Sequence, residues 1–198
     1  SRGRVDISDL KSKVDKYTAG MMLTQPNTLG LFEDHIEEIS GIIHDVDGLM
    51  YMDGANLNAL LGIAKPSVMG FDITHINLHK TFSTPHGGGG PGAGPICVVE
   101  KLSEFLPNPR IIKNDGKFEF SFKNKDSIGR LHSYYGNFLV LVRAYSYILS
   151  LGDEGLEKMS RVAILNANYL KKKLQETYDV PYSNGSMHEL SLIHIWRC

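Results

Sequence analysis

The sequence has little cysteine, no long apolar run and no extended basic block. Two cysteines, Cys97 and Cys198, are too few for a disulfide framework and lack metal-ligand spacing. No apolar stretch reaches the length of a membrane-spanning helix, and the first residues carry no secretory pattern. Such a sequence is typical of a reducing, cytoplasm-like compartment and gives no indication of a membrane.

The charge pattern gives no indication of a nucleic-acid partner. The formal net charge of the 198 residues is −1, and basic residues are dispersed except for "LKKKL" at 170–174. That triplet lies in a helical pattern and is most simply a solvated helix face. With 42% hydrophobic and 22% charged residues, the chain has the composition of an ordinary globular domain with a core.

The spacing of apolar residues predicts an α/β fold with a mixed, mostly parallel sheet and flanking helices. A reversal after the glycine-rich stretch makes the last strand of the sheet antiparallel. The predicted elements, in chain order, are a helix at 6–14, a buried strand at 18–26, a helix at 33–46, a strand at 48–53, a helix or turn at 59–70, strands at 71–79 and 95–100, a turn-rich surface segment at 106–130, a core helix at 137–152 and an amphipathic helix at 153–178.

Two charged residues follow predicted strands. Asp53 comes after the apolar run "GLMYM", and Lys80 comes after "FDITHINLH". Alone, Asp53 is most simply a turn-opening residue and Lys80 a lysine at a strand end. Together they favour a functional site, because ligands of open α/β sheets bind at the carboxyl ends of the strands. A neutral lysine amine can also bond covalently to a carbonyl carbon.

Two other patterns are less specific. His75 and His79 would share one face of the strand predicted at 71–79, but no third ligand is evident, so we predict no metal site. The loop "HGGGGPGAGP" (86–95) is followed by a strand and lacks the Lys-Ser/Thr pair of a phosphate-binding loop. It suits a chain reversal in which the backbone passes close to a ligand or a partner chain.

Three segments carry a resemblance to a known family. "DITHINLHKTFSTPHGGGGPGAGP" (72–95) closely resembles the cofactor-lysine segment of the glycine cleavage system P-proteins, which are pyridoxal-phosphate-dependent glycine decarboxylases. "TQPNTLGLFE" (24–33) and "MYMDGANLNALLG" (50–62) are similar to the preceding segments of that family. The resemblance extends from about residue 5 to Glu189, and the form resembled most is the second subunit of the two-chain bacterial enzyme.

The resemblance implies a fold, a cofactor and roles for individual residues. The fold is a fold-type-I, aspartate aminotransferase-like large domain, truncated here, and the cofactor is pyridoxal 5′-phosphate. Lys80 matches the lysine that binds the coenzyme covalently, and Asp53 matches the acid paired with the pyridine nitrogen. The other implied cofactor contacts are Ala55 beneath the ring, Asn77 at the phosphate, and His79 and Thr28 as neighbours.

The resemblance also implies an activity and partners. The expected reaction is decarboxylation of glycine, with transfer of the aminomethyl group to the lipoyl group of H-protein. The expected partners are glycine, lipoylated H-protein and a partner P-protein subunit, in a dimer or heterotetramer. The expected location is the bacterial cytoplasm, or the mitochondrial matrix of a eukaryote.

The resemblance divides the chain into three parts. Residues 1–150 match the C-terminal part of the coenzyme-binding large domain. Residues 151–189 match a helix leading into a small C-terminal domain that is missing. Residues 190–198 hold the only tryptophan and one of the two cysteines, which indicates a non-native tail, although a short native strand is the simpler alternative.

Three other functions stay open. The first is another fold-type-I pyridoxal-phosphate enzyme, such as an amino-acid decarboxylase or a desulfurase. A desulfurase needs a mobile nucleophilic cysteine, and Cys97 is a poor candidate because its strand is predicted to be buried. The second is a catalytically silent fragment or assembly subunit, against which retention of Lys80 and Asp53 argues. The third is a nucleotide-binding module built on the glycine loop.

Overall fold

The computed structural model describes residues 3–90, 92–131 and 135–191. Most of the predicted non-native tail, including Cys198, therefore lies outside the described residues. None of the helices in these ranges is both long enough and apolar enough to cross a membrane.

The chain forms a four-stranded mixed sheet in the order β1-β2-β3-β4. Strands β1 to β3 are parallel, and β4 is antiparallel to β3. The predicted mixed sheet and the reversal before its last strand are therefore confirmed. The strands span Gly20–Thr24 (β1), Leu49–Gly54 (β2), Ile73–Ile76 (β3) and Ile96–Val98 (β4).

Helices and one separate hairpin complete the fold. The 106–130 segment was predicted to lie at the surface, and it does. It also contains a two-stranded antiparallel hairpin that was not predicted. The two helices predicted at 137–152 and 153–178 join at Gly152, whose φ of 61° interrupts the last helix. The elements are α1 (Ile7–Lys13), α2 (Ile36–His44), α3 (Leu78–Thr81), α4 (Phe138–Leu174), β5 (Arg110–Asn114) and β6 (Lys117–Ser121).

The main core lies on one face of the sheet. Met50 and Met52, two residues apart on β2, are fully buried against Ile36, Ile39 and Ile43 of α2. The 3.6-residue period of the helix and the two-residue period of the strand bring these side chains together. Each such apolar side chain contributes roughly 1.5–3 kcal/mol when it is fully buried. The opposite face of β2 is left for polar residues.

Three predicted elements differ from the structure. The strand predicted at 18–26 is not buried, because β1 is an edge strand and Met22 is 61% exposed. The helix predicted in the core at 137–152 buries only one side, which includes Val140 and Ala144. The strand predicted at 71–79 ends at Ile76. After Ile76 the buried residues Leu78, Thr81 and Phe82 are three and four positions apart, a spacing typical of a helix, and the chain forms α3.

A buried carboxylate joins α2, β2 and the chain after β4. Asp72 Oδ2 lies 2.8 Å from His44 Nε2 and accepts the Met50 N–H at 2.9 Å, while Oδ1 lies 3.0 Å from Lys101 Nζ. Burial alone would raise the pKa of Asp72, but these three partners outweigh it and hold the pKa below its ordinary value. The ionised form therefore stabilises the folded chain.

We expect Asp72→Asn to lower the free energy of unfolding at pH 7 by about 2 kcal/mol, because one partner of a buried, charged network is lost. The pKa of Asp72 is lower in the folded chain than in the unfolded one. Its stabilising contribution is therefore present above the unfolded value, about 3.9, and is lost as the pH falls through the lower folded value. Urea unfolding at pH 7 and at pH 3 measures both effects.

Asp126→Asn, at an exposed position, is the control and should change stability by less than about 0.5 kcal/mol. A difference between the Asp72→Asn and parent proteins that stays the same size at both pH values would contradict the linkage.

Candidate functional site

The candidate site lies at the carboxyl edge of the three parallel strands. Thr24 is the last residue of β1, Asp53 is the next-to-last of β2, and His75 is the next-to-last of β3. The strand register places Thr24 opposite Asp53, and Asp53 opposite His75. Residues directly opposite one another in neighbouring strands point to the same face, so these three polar side chains form one row across the sheet.

Asp53 is the centre of this row. Its Oδ1 accepts the Ala55 N–H at 3.0 Å and lies 3.3 Å from His75 Nε2. Its Oδ2 accepts the Thr24 hydroxyl at 3.3 Å. The side chains of Asp53 and His75 are each 26% exposed. The carboxylate is therefore held from three sides and remains accessible to a ligand.

Tyr51 extends the row. It lies two residues before Asp53 on the same face of β2, and its hydroxyl is 3.0 Å from His75 Nδ1. The two rings are 5.6 Å apart between centroids. Both nitrogens of the His75 imidazole therefore have a polar neighbour, Tyr51 on one side and Asp53 on the other.

Lys80 lies beyond the end of β3, as predicted, but in the short helix α3 and not directly after the strand. Its N–H donates to Asn77 O at 3.2 Å, and its carbonyl accepts from Asn58 Nδ2 at 3.3 Å. The side chain is exposed. Because β2 and β3 are parallel neighbours, Asp53 near the end of β2 and Lys80 beyond the end of β3 lie at the same edge of the sheet. That their side chains meet in one ligand site stays a prediction.

His79 is the half-buried neighbour of Lys80. Its ring is packed edge-on against that of His86, with 4.6 Å between the centroids. Burial lowers the pKa of His79, and electrostatic interactions with His86 and Lys80 lower it further. Within the described ranges its Nδ1 is buried and has no hydrogen-bond partner. A neutral ring with an unsatisfied nitrogen is therefore available to a ligand beside the lysine.

The glycine loop returns along β3 and α3 at this same edge. Leu78 N–H donates to Ala93 O at 3.2 Å, and Ile76 N–H donates to Pro95 O at 2.9 Å. A Cβ on Gly94 would lie 3.4 Å from Ile76 O. The predicted close approach of the loop backbone is therefore to β3 and α3.

The other residues predicted to contact the cofactor are Ala55, Asn77 and Thr28. Ala55 follows Asp53 and contacts it through its backbone N–H. Asn77 caps α3 without a side-chain hydrogen bond to the helix. Thr28 is exposed in the turn after β1, and no hydrogen bond within the described ranges joins it to Asp53 or Lys80. The roles of Ala55, Asn77, Thr28 and His79 in cofactor binding stay predictions.

His75 and His79 do not share a strand face, because β3 ends between them. No group of three potential metal ligands occurs in the described part of the chain. Cys97 is exposed, not buried as predicted, because β4 lies at the sheet edge. It still faces away from Asp53, since it pairs with Thr74 and lines an apolar cavity of about 360 Å³ on the face that carries Met52.

Sequence reasoning missed Tyr51, His75 and Thr24 as contacts of the candidate site. Tyr51 could have been found, because residues two apart on a strand share a face. His75 and Thr24 required the register of β1, β2 and β3, which the sequence does not contain.

Comparison with solved structures identifies the class of fold. The chain superposes on a glycine decarboxylase (P-protein) of the glycine cleavage system, crystallised with an inhibitor, with a TM-score of 0.79 at 20% identity, over 97% of this chain and 45% of that one. It also resembles a glutamate decarboxylase from Lactobacillus brevis (TM-score 0.63, 14% identity, 97% and 45%) and a cysteine desulfurase from Thermococcus onnurineus (0.59, 16%, 88% and 42%). The fold is the fold-type-I large domain.

Comparison with curated sequences identifies the relatives within that class. The chain is 58% identical over 190 residues to a probable glycine dehydrogenase (decarboxylating) subunit 2 of Treponema denticola, and 53% identical to its namesake in Caldanaerobacter subterraneus. Each match covers 96% of this chain and 39% of the relative, so the chain spans about two fifths of their length. No family model matches. The predicted resemblance, to the second subunit of the two-chain bacterial form, is confirmed.

We expect Gly54→Ala to destabilise the chain and displace Asp53, because a Cβ there would lie 2.7 Å from His75 O in the neighbouring strand. Overpacking of this kind costs about 1–3 kcal/mol of unfolding free energy, which urea denaturation measures. Gly41→Ala is the control, since a Cβ at this α2 position meets nothing within 4 Å. It should stabilise the helix by up to about 1 kcal/mol, and equal effects of the two changes would contradict the packing.

Proposed function

We propose that the chain supplies the lysine and the acid of a pyridoxal-phosphate site that decarboxylates glycine in a glycine cleavage system. The observation that carries the proposal is the carboxylate of Asp53, held by Ala55, Thr24 and His75 at the strand edge beyond which Lys80 lies. The relatives' printed name, glycine dehydrogenase (decarboxylating) subunit 2, supports the choice of substrate. In this proposal, residues 1–150 are part of the coenzyme-binding domain and 151–189 lead towards a smaller one.

The residues present fit this coenzyme. Asp53 is a partly exposed carboxylate of the kind that pairs with a protonated pyridine nitrogen. Lys80 presents an exposed amine from a short helix at the same edge. The buried, unsatisfied Nδ1 of His79 is a polar atom that a ligand beside Lys80 would satisfy.

When bound, pyridoxal phosphate supplies an electron-accepting ring that stabilises the carbanion left by loss of CO2. Lys80 Nζ would hold the coenzyme covalently through its neutral amine. The Asp53 carboxylate would hold a proton on the ring nitrogen, and Asn77 and His79 would contact the coenzyme near Lys80. The small side chain of Ala55 would pack beneath the coenzyme ring.

The proposal extends to partners and location. The aminomethyl group would pass to lipoylated H-protein, and a partner P-protein subunit would complete a dimer or heterotetramer. The word "subunit" in the relatives' name supports the partner subunit. Phe118 on the β5–β6 hairpin and Leu139 and Tyr145 on α4 are exposed apolar side chains of the kind that a partner subunit, or the rest of a chain of the relatives' length, would cover. We place the enzyme in the bacterial cytoplasm, or in the mitochondrial matrix of a eukaryote.

We expect Lys80→Ala, made in a protein of the relatives' full length that carries this chain, to abolish the visible absorption band of the bound coenzyme and glycine-dependent CO2 release. The physical reason is that alanine offers no amine for the covalent bond. Lys80→Arg should give the same result, because it restores the charge but not the nucleophile. Lys125→Ala, at an exposed position, is the control. An unchanged band and turnover in Lys80→Ala would refute the assignment.

We expect Asp53→Asn to retain part of the coenzyme but to lower kcat for glycine decarboxylation by roughly 100-fold or more, as loss of one preorganised electrostatic partner does in other enzymes. The amide preserves the shape of the side chain but no longer stabilises a proton on the ring nitrogen. Coenzyme content by absorbance and CO2 release with lipoylated H-protein measure the two effects. A near-normal kcat would remove the proposed role of Asp53.

Substrate and ligand profiles distinguish the other functions. CO2 release that depends on glycine and lipoylated H-protein separates the proposed enzyme from other fold-type-I decarboxylases. Desulfurase activity is disfavoured because Cys97 lies on the face of the sheet opposite Asp53. A nucleotide-binding module would bind ATP or GTP equally well before and after Lys80→Ala. A silent subunit would bind the coenzyme without turnover.

A further inference from the structure

We propose that His75 is a positioning residue for Asp53 and that Tyr51 supports the tautomer in which it does so, leaving Asp53 Oδ2 to take the ring nitrogen of the coenzyme. The proposal rests on the proposed function for the identity of that ligand. The contacts among Tyr51, His75 and Asp53 are properties of the folded chain and do not depend on the proposed function.

The backbone fixes the spacing of the three groups. Tyr51 and Asp53 are two residues apart on β2 and share a face. His75 lies directly opposite Asp53 in the parallel register of β2 and β3. A side chain carried by the neighbouring strand is more rigidly placed than one in a loop, which suits a residue that orients another.

The contacts define where the imidazole proton lies. An ionised carboxylate is only an acceptor, so His75 Nε2, 3.3 Å from Asp53 Oδ1, attracts it when that nitrogen carries the hydrogen. In a neutral imidazole, Nδ1 is then an acceptor, and the Tyr51 hydroxyl 3.0 Å away is the group that donates to it. The carboxylate therefore selects the tautomer that directs an N–H towards Asp53, and the Tyr51 hydroxyl satisfies the Nδ1 acceptor that this tautomer leaves.

The two carboxylate oxygens are left unequal. Oδ1 accepts the Ala55 N–H and also lies 3.3 Å from His75 Nε2. Oδ2 has one donor among the described residues, the Thr24 hydroxyl. Each carboxylate oxygen offers two acceptor positions, so Oδ2 keeps one open. The geometry points to Oδ2 as the atom that meets the coenzyme and to His75 as the group that stops the carboxylate from rotating.

Four variants in the full-length protein test the proposal: His75→Leu, His75→Gln, Tyr51→Phe and the control His35→Leu, at the exposed N-cap histidine that precedes α2. The readouts are the visible spectrum of the bound coenzyme, its dissociation constant, kcat and KM for glycine, and the melting temperature of the coenzyme-free protein. The spectrum and dissociation constant report on the site without turnover.

We expect His75→Leu to shift the spectrum in the same direction as Asp53→Asn and to lower kcat about tenfold, the equivalent of one hydrogen bond to a charged group, with KM nearly unchanged. Tyr51→Phe should change the spectrum and kcat less than His75→Leu does, because it removes only the hydroxyl that supports the His75 tautomer. His75→Gln should restore the parent spectrum in large part, since its amide can donate to Oδ1. His35→Leu should match the parent in every readout.

A parent-like spectrum and kcat in both His75→Leu and Tyr51→Phe would overturn the proposal. So would equal changes in His75→Leu and His75→Gln, which would indicate a packing role. If His75→Leu melts well below the parent, the His75→Gln and Tyr51→Phe spectra decide the question. A different result would refute the proposed function. In that case Lys80→Ala would retain the absorption band and turnover, whatever the His75 variants show.

Discussion

The parallel pairing of β2 with β3 is the constraint on which the candidate site depends. It places His75 opposite Asp53 and brings the ends of both strands to one edge, so that the chain entering α3 carries Lys80 to the edge where Asp53 lies. Because the side-chain period of a strand is two residues, a slip of one residue would turn Asp53 into the core and Met52 towards the ligand. The buried methionines of β2 oppose such a slip, since they pack against the isoleucines of α2.

The two faces of β2 therefore have different roles, one in folding and the other in the candidate site. One face supplies the apolar surface that stabilises the domain, and the other carries Tyr51 and Asp53. Asp72 and Asp53 illustrate the same division among carboxylates. Asp72 is buried and satisfied by His44, Met50 and Lys101, so it stabilises the fold, whereas Asp53 is partly exposed, which suits its proposed role as a ligand contact.

Much of the fold could be predicted from the sequence, because it depends on local patterns. The alternating strands, α2 and the antiparallel return after the glycine loop all follow from apolar periodicity and turn residues. The errors about burial share one cause, which is that burial depends on what lies on the other side of an element. The strand β1, the strand of Cys97 and the first half of α4 are apolar in sequence yet partly exposed, because the described residues cover only one of their faces.

The sequence by itself determined the residue types at the site, namely a lysine and an acid that each follow an apolar strand, and the long "HKTF…PHGGGG" run that identified the family. The tertiary structure alone decided which side chains meet Asp53. Thr24 and His75 lie 29 and 22 positions away along the chain, and only the parallel register, a non-local property of hydrogen bonding between strands, brings them into the same row. The end of β3 at Ile76, and not the register, separates His79 from the strand face that carries His75.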